Sequence, residues 1–184
     1  RWRDALNALH HAEPATEAAL AHALAQAATR DPLLRARFTL LEGRGHLRFG
    51  RPSEAGDALA RAARLYEAVD DPERAAQARV TAVDALAHAG RLRDAEALAR
   101  RTAPTLRARA LAPWRDFLAV NRANVRRLAG DVEGARRDYE QAAARLAARG
   151  DEATATIARM NAAVARLEAG EAEAAHGAFV AAEQ

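Results

Sequence analysis

The sequence contains no cysteine and no lysine, and aromatic residues make up only 4% of its 184 residues. Without cysteine, the chain has no disulfide bonds and no cysteine-bound metal. No run of about 18 apolar residues could span a membrane, and nothing at Arg1 resembles a signal peptide. We therefore predict a cytoplasmic protein with no membrane partner. Because 50% of the residues are apolar but few are aromatic, the core must consist of Ala, Leu and Val, which favours closely packed helices.

The charge of the chain is nearly balanced. All 28 basic residues are arginine, and 25 acidic residues leave a net charge of +3. A preference for arginine over lysine is typical of a genome rich in G and C, whose codons favour Arg and Ala. The acids are interspersed among the arginines, and no basic cluster is interleaved with aromatic residues. The sequence therefore predicts no nucleic-acid partner.

A sequence pattern recurs every 40 residues. A glycine is followed after five residues by an alanine, and after twelve by a second small residue. Between the two small positions lies a larger side chain in three copies, with Ala99 as the exception. The glycines are Gly50, Gly90, Gly130 and Gly170, the first small residues Ala55, Ala95, Ala135 and Ala175, the second Ala62, Thr102, Ala142 and Ala182, and the larger ones Leu59, Tyr139 and Phe179.

Each glycine is flanked by Ala-, Leu- and Arg-rich runs with apolar residues at i, i+3, i+4 and i+7, the spacing of an amphipathic helix. Glycine can end the first helix with φ > 0, and a polar step then starts the second. Such a hairpin cannot bury its apolar face alone, so neighbouring hairpins stack. We predict an all-α fold, a right-handed superhelical solenoid of antiparallel helix hairpins in one continuous domain.

The predicted solenoid has about four full repeats and a degenerate repeat at its N-terminus. Because the chain begins with Arg and stops within a repeat, we interpret it as a fragment of a longer protein. The predicted bounds are 1–32 for the degenerate repeat, 33–71, 72–111 and 112–150 for repeats 1 to 3, and 151–184 for a truncated repeat 4.

Capping and proline signals predict individual helices. Asp70 and Asp71, before Pro72, are predicted to cap the helix that follows. Trp114 follows a predicted boundary at Pro113, where it either packs across the junction between repeats or anchors a ligand. The predicted helices run from Trp2 to His11, from Pro14 to Thr29, from about Leu33 to Phe49, from about Pro52 to Ala68, and from Thr105 to Leu111.

The repeat resembles the tetratricopeptide repeat, in which a glycine turn joins a first helix with small residues to a second helix with an Ala, large apolar, Ala pattern. The second copy departs from this pattern, with Val83, Ala99 and Thr102 at three of its places. The period of 40 exceeds the roughly 34 residues of the common form, and longer helices like those of kinesin light chain repeats account for the difference. The matching residues are Gly43, Gly50, Ala55, Leu59 and Ala62, then Ala123, Gly130, Ala135, Tyr139 and Ala142, and then Ala163, Gly170, Ala175, Phe179 and Ala182.

The resemblance implies a binding groove lined by the first helix of each repeat. The pair Asn121 and Asn124 is similar to the asparagine pair of kinesin-light-chain-like repeats, where such amides hold the backbone of an extended peptide. Alternatively, the two asparagines form hydrogen bonds between adjacent helices. Arginines on the same surface would favour an acidic peptide. The predicted groove residues are Asn121, Asn124, Asn161, Arg44, Asp84, Arg37, Arg48, Arg127, Val120 and Met160.

No catalytic motif is present. The sequence has no glycine-rich phosphate loop and no HExxH motif. His10, His11 and His22 lack the spacing of metal ligands, because adjacent residues point to different faces of a helix. We therefore predict that this chain is not an enzyme and binds no metal or cofactor.

Three functions are compatible with the sequence. We expect a protein-interaction scaffold that binds a peptide, a partner segment or a C-terminal effector domain of its own parent protein. Phrases such as GRGHLRFGRPSEA are similar to the arrays that precede CHAT (caspase-like) peptidase domains in actinobacteria. The alternatives are a sensor array of a bacterial transcription regulator or signalling ATPase, and a structural or oligomerisation module.

Overall fold

The computed structural model describes residues 14–28 and 31–183. These residues form helices and turns without a strand, which confirms the predicted all-α class. The predicted helix from Trp2 to His11 lies outside the described residues. The helices are α1 (Pro14–Ala27), α2 (Pro32–Arg48), α3 (Pro52–Ala68), α4 (Pro72–His88), α5 (Leu92–Thr102), α6 (Ala112–Leu128), α7 (Val132–Ala147), α8 (Glu152–Glu168) and α9 (Ala172–Glu183), with 3₁₀ turns at Ala103–Leu106 and Arg109–Leu111.

The chain divides into two compact units, Arg1–Leu98 (unit 1) and Ala99–Gln184 (unit 2). In unit 1, α1 to α4 pack in sequence order, each against the next, and in unit 2 so do α6 to α9. Because short turns join them, successive helices run antiparallel. This packing is that of a helical-repeat protein. That the two units form one continuous solenoid stays a prediction.

The recurring glycines end the first helix of each hairpin in the left-handed region, with φ between 71° and 91° at Gly50, Gly90, Gly130 and Gly170. After Gly130, the N–H of Asp131 donates to the carbonyl of Arg126 at 3.0 Å, the long-range bond of a Schellman motif. Only glycine adopts this conformation without a steric cost. The 40-residue glycine period therefore marks the turns of the hairpins.

Aspartates cap several helix starts. Asp71 Oδ1 accepts from the backbone N–H of Arg74 at 3.0 Å, and Pro72 occupies the first turn of α4. Asp31, Asp131 and Asp151 cap α2, α7 and α8 in the same way. The predicted cap at Asp71 is thus confirmed. Asp70 instead adopts φ 55° in the turn before it.

Alanine dominates both cores and allows close helix approach. In unit 1, a buried cluster joins α2, α3 and α4 around Leu59 and Tyr66, and in unit 2 a similar cluster joins α6, α7 and α8 around Tyr139 and Leu146. Gly43 lies so close to Leu59 that an added Cβ would be 2.6 Å from its Cγ. The small residues of the repeat therefore set the distance between helices.

The helix predicted from Thr105 to Leu111 is wrong. Helix α5 ends at Thr102 because Pro104 lacks an N–H and disfavours helical geometry at the residue before it. Two 3₁₀ turns follow, separated by the extended residue Ala108. The predicted boundary near Pro113 agrees with the structure, because α6 begins at Ala112 and has Pro113 in its first turn, where proline is tolerated.

Candidate functional site

The ten predicted groove residues fall on the first helices of the hairpins in both units. Unit 1 carries four on α2 and α4, and unit 2 carries six on α6 and α8. The unit 1 residues are Arg37, Arg44, Arg48 and Asp84, and the unit 2 residues are Val120, Asn121, Asn124, Arg127, Met160 and Asn161.

The three arginines of α2 lie on one side of the helix. Their spacing of seven and four residues keeps them within about 40° around the axis. Arg44 and Arg48 are exposed, and Arg37 is half-buried. Among the residues that the structure describes, Arg37 and Arg44 form no ion pair with a carboxylate. This side of α2 therefore carries positive charge that is available to an acidic ligand.

Tyr66 of α3 lies in the electrostatic reach of these arginines. Burial raises the pKa of the Tyr66 phenol, although the positive charges of Arg74, Arg37 and Arg44 oppose the shift. The phenol is therefore neutral at physiological pH and leaves the local positive charge intact. Its side chain is buried in the unit 1 core.

Asp84 of α4 lies beside a histidine. Its carboxylate is 3.5 Å from Nδ1 of His88, one turn further along the helix. The same ring nitrogen is 3.0 Å from the backbone carbonyl of Asp84, close to the C-terminus of α4. The histidine position agrees with the preference of a helix C-terminus for a cationic side chain.

In unit 2, Asn124 takes part in a bond between neighbouring helices. The hydroxyl of Tyr139 on α7 donates to Asn124 Oδ1 on α6 at 2.5 Å. Asn124 Oδ1 thus accepts a hydrogen bond from an adjacent helix, which is the alternative role that the sequence offers for the two asparagines. Asn121, one turn earlier on α6, is half-buried like Asn124. The bond to Tyr139 fixes the orientation of the Asn124 amide on this side of α6.

Arg127 extends the same polar side of α6. Its Nη1 donates to Glu168 of α8 at 2.6 Å. Burial tends to lower the pKa of the Arg127 guanidinium, but contacts with Tyr139 and Glu168 outweigh burial and raise this pKa. Because Glu168 balances its charge, Arg127 adds less positive potential to this surface than the arginines of α2 do in unit 1.

The remaining predicted residues differ in exposure. Val120 is buried in the unit 2 core among residues of α6, α7 and α8. Met160 is 45% exposed although it has the corresponding position in the 40-residue register. Asn161 on α8 corresponds to Asn121 on α6 and is half-buried. Met160 and the half-buried Asn161 are therefore accessible to a ligand, whereas Val120 contributes to stability.

Two buried carboxylates were not singled out from the sequence. Glu42 of α2 accepts from Arg61 Nη2 of α3 at 2.8 Å and lies 3.1 Å from Nδ1 of His22 of α1. Asp116 of α6 is paired with Arg145 of α7 and with Arg149 in the turn that follows α7. The available signal was an acid at a register position where other repeats have small residues. For Asp116 these are Ala36, Ala76 and Thr156, and for Glu42 they are Ala82 and Ala162, although the third copy has Arg122 at that position.

The histidines give no metal cluster within the described part of the chain. His10 and His11 lie outside the described residues, and His22 is paired with Glu42. In residues 14–28 and 31–183, no group of three or more His, Asp or Glu side chains could hold a metal ion. Over the same residues, none of the helices is both long and apolar enough to cross a membrane.

Comparison with known proteins gives no relative on which to base a function. A scan against models of protein families finds no match, and a search of curated proteins finds no significant one. The functional argument therefore depends on the residues and their geometry.

Proposed function

We propose that this chain is a protein-interaction scaffold that binds an extended peptide or partner segment along the first helices of its hairpins. The observation that carries the proposal is the amide pair Asn121 and Asn124 on one side of α6, with Asn124 held by Tyr139. A side-chain amide contains both a donor and an acceptor, so it can pair with any peptide group. An amide that is already oriented loses little side-chain entropy when a ligand binds.

The preferred ligand of the scaffold is acidic. Arg37 and Arg44 of unit 1 form no ion pair within the described residues. A guanidinium can bind a carboxylate through two parallel hydrogen bonds. Complementary charge also speeds association, and this effect weakens as salt is added. We therefore expect peptides rich in Asp and Glu to bind best at low ionic strength.

We propose that any catalysis would lie in a domain absent from this chain. The resemblance to arrays that precede CHAT peptidase domains suggests a regulatory or recognition role next to such a domain in a bacterial protein. A sensor array of a transcription regulator or signalling ATPase is the competing assignment. An adjoining domain with a His and Cys pair would favour the peptidase, and a helix-turn-helix or Walker loop would favour the regulator.

A second candidate function is self-association through α8. Ile157, Met160 and Leu167 are each 45% exposed or more, and their spacing places them on one stripe of the helix. Exposed apolar stripes commonly mark interaction surfaces. Light scattering across a range of concentrations tests this function, since a chain that remains monomeric at high concentration would contradict it.

The experiment for the scaffold is a selection of peptides from a displayed library of random 12-residue sequences. Each selected peptide is then titrated against the wild-type chain and against the double change Asn121→Ala and Asn124→Ala. We expect the double change to weaken binding by about tenfold or more, because each lost hydrogen bond contributes about 1 kcal/mol.

The matched control is the double change Gln26→Ala and Gln141→Ala, which removes two exposed amides from α1 and α7. This control is expected to bind as the wild type does. Circular dichroism must give the same helix content for all three chains. Equal affinities for the asparagine variant and the wild type would refute peptide binding at this site.

A further inference from the structure

A surface cavity of about 530 Å³ lies between α6 and α7 in unit 2. Its walls are formed by Arg115, Asp116 and Ala119 of α6, by Arg145 of α7, and by Ala148 and Arg149 in the turn that follows α7. Three of these six side chains are guanidinium groups. The cavity thus combines an open volume and mostly apolar walls with three guanidinium groups.

Asp116 holds two of the arginines in place. Arg145 Nε donates to its Oδ1 at 3.2 Å, and Arg149 Nη1 donates to its Oδ2 at 2.7 Å. The Asp116 side chain is only 5% exposed, whereas those of Arg145 and Arg149 are 48% and 36% exposed. Because both guanidinium groups bind one carboxylate, they converge within a few ångströms. Each keeps further N–H donors beyond the one directed at Asp116.

Positive charge in the cavity exceeds the charge of Asp116. Three arginines and one aspartate leave a formal charge of 3 − 1 = +2 on its walls. Arg115 is exposed and forms no ion pair within the described residues. It also ends a stretch, 97–115, that contains five arginines and no acid. The net positive charge of the cavity walls concentrates anions near them.

The cavity is separate from the predicted peptide surface. At 100° per residue, Arg115 and Ala119 lie on average about 170° around the α6 axis from Asn121 and Asn124. A ligand in the cavity therefore does not contact the asparagine pair. The two sites can be tested independently of each other.

We propose that this cavity binds a phosphate group. A phosphate monoester at neutral pH carries a charge of about −1.5 to −2 and three acceptor oxygens, which matches the net charge of the walls, the two guanidinium groups that converge on Asp116 and the third at Arg115. A carboxylate carries only one charge and two oxygens, so it would neutralise half of the excess charge on the walls. The ligand is a phosphorylated segment of a protein or a free phosphate compound.

The experiment follows the Nε–Hε NMR signals of the arginines in the 184-residue chain at pH 7 and constant ionic strength. The probes are inorganic phosphate, a short peptide with one phosphoserine, and the same peptide without phosphate. We expect saturable shifts for Arg115, Arg145 and Arg149 with the two phosphate probes. A tighter affinity for the phosphopeptide identifies a protein-borne phosphate, and an equal affinity identifies a free phosphate compound.

Two variants and a matched control assign the effect to the cavity. Arg115→Gln and Arg149→Gln are each expected to weaken phosphate binding by about tenfold, which corresponds to one charge-assisted hydrogen bond at a partly exposed site. Arg137→Gln removes the same charge from α7, where that side chain is 61% exposed outside the cavity, and should leave binding unchanged. Asn121→Ala with Asn124→Ala should also leave it unchanged. Circular dichroism checks the fold of each variant.

Three results would overturn the proposal. The first is an equal loss of binding in Arg115→Gln and Arg137→Gln, which would indicate general electrostatic attraction. The second is a small, unsaturated shift of every exposed arginine. The third is binding of a single-stranded DNA 12-mer when neither phosphate probe binds, which would assign the arginines to nucleic acid instead.

Discussion

Polar side chains in this protein act through specific partners on neighbouring helices or in their own capping turn. The Tyr139 hydroxyl occupies one acceptor of Asn124, and the Asp71 carboxylate satisfies a backbone N–H at the start of α4. A buried or capping polar group that loses its partner costs free energy, because water cannot fully replace the bond. Each of the two contacts can be removed by its own single substitution.

Tyr139→Phe should lower the free energy of unfolding by about 1 kcal/mol, because it deletes the hydroxyl that bonds to Asn124 and leaves the ring in place. Urea unfolding followed by circular dichroism measures the change. Tyr66→Phe is the control, since the described residues offer its hydroxyl no hydrogen-bond partner. Equal effects of the two substitutions would show that the bond to Asn124 does not stabilise the fold.

Asp71→Ala should lower stability by about 1 kcal/mol at pH 7 through loss of the helix cap. Burial tends to raise the pKa of the Asp71 carboxyl, but hydrogen bonds from the backbone and side chain of Arg74 outweigh burial and lower this pKa. The cap therefore contributes fully above the unfolded pKa of about 3.9, and its contribution disappears as the pH falls through the lower folded pKa. The difference between wild type and variant should shrink below about pH 4.

Asp71→Asn separates capping from charge. Asparagine caps helices as well as aspartate does, so Asp71→Asn should keep most of the wild-type stability at pH 7. Because asparagine does not ionise, the stability difference between Asp71→Asn and Asp71→Ala should not change with pH. Thermal unfolding from pH 3 to pH 7 provides the measurement. A gap between wild type and Asp71→Ala that stays constant down to pH 3 would contradict the assigned cap.

Helices of this protein approach closely where the sequence has glycine or alanine in a helix interior. Gly45 of α2 packs against α1, and a Cβ at this position would lie 2.9 Å from the backbone N of Ala18. Backbone atoms cannot move aside as the end of a flexible side chain can. Glycine in a helix interior is otherwise unfavourable by about 1 kcal/mol relative to alanine.

Gly45→Ala should therefore destabilise the protein by about 1 to 2 kcal/mol, since the cost of forcing α1 and α2 apart exceeds the gain in helix propensity. Gly177→Ala in α9 is the matched control, because nothing lies within 4 Å of its added Cβ. This control should raise stability by up to about 1 kcal/mol. Stabilisation by both substitutions, measured by denaturant unfolding, would show that α1 and α2 do not pack as described.

The sequence predicts the whole molecule as a set of helical hairpins, because turns and caps are local. The 40-residue glycine period and the aspartate before Pro72 depend on residues within one turn of each other. The break after Thr102 was also encoded locally, by Pro104, but the helix-forming residues around it predict a longer helix. By contrast, the bond from Tyr139 to Asn124 and the burial of Asp116 depend on tertiary packing. Periodicity marks Asp116 as an acid among small residues but gives no partner for Asp116 or Asn124, so these partners follow only from the structure.

The measurement that tests the central claim most directly is an amide-to-ester scan of a selected peptide. Each backbone N–H of the peptide is replaced in turn by an ester oxygen, which removes one donor and leaves the side chains unchanged. Affinities are measured by calorimetry for the wild-type chain and for the double change Asn121→Ala and Asn124→Ala. If the asparagines hold the peptide backbone, at least one ester should weaken binding to the wild type by about fivefold or more and have little further effect on the variant. Equal effects on both chains at every position would contradict recognition of the backbone by these two amides.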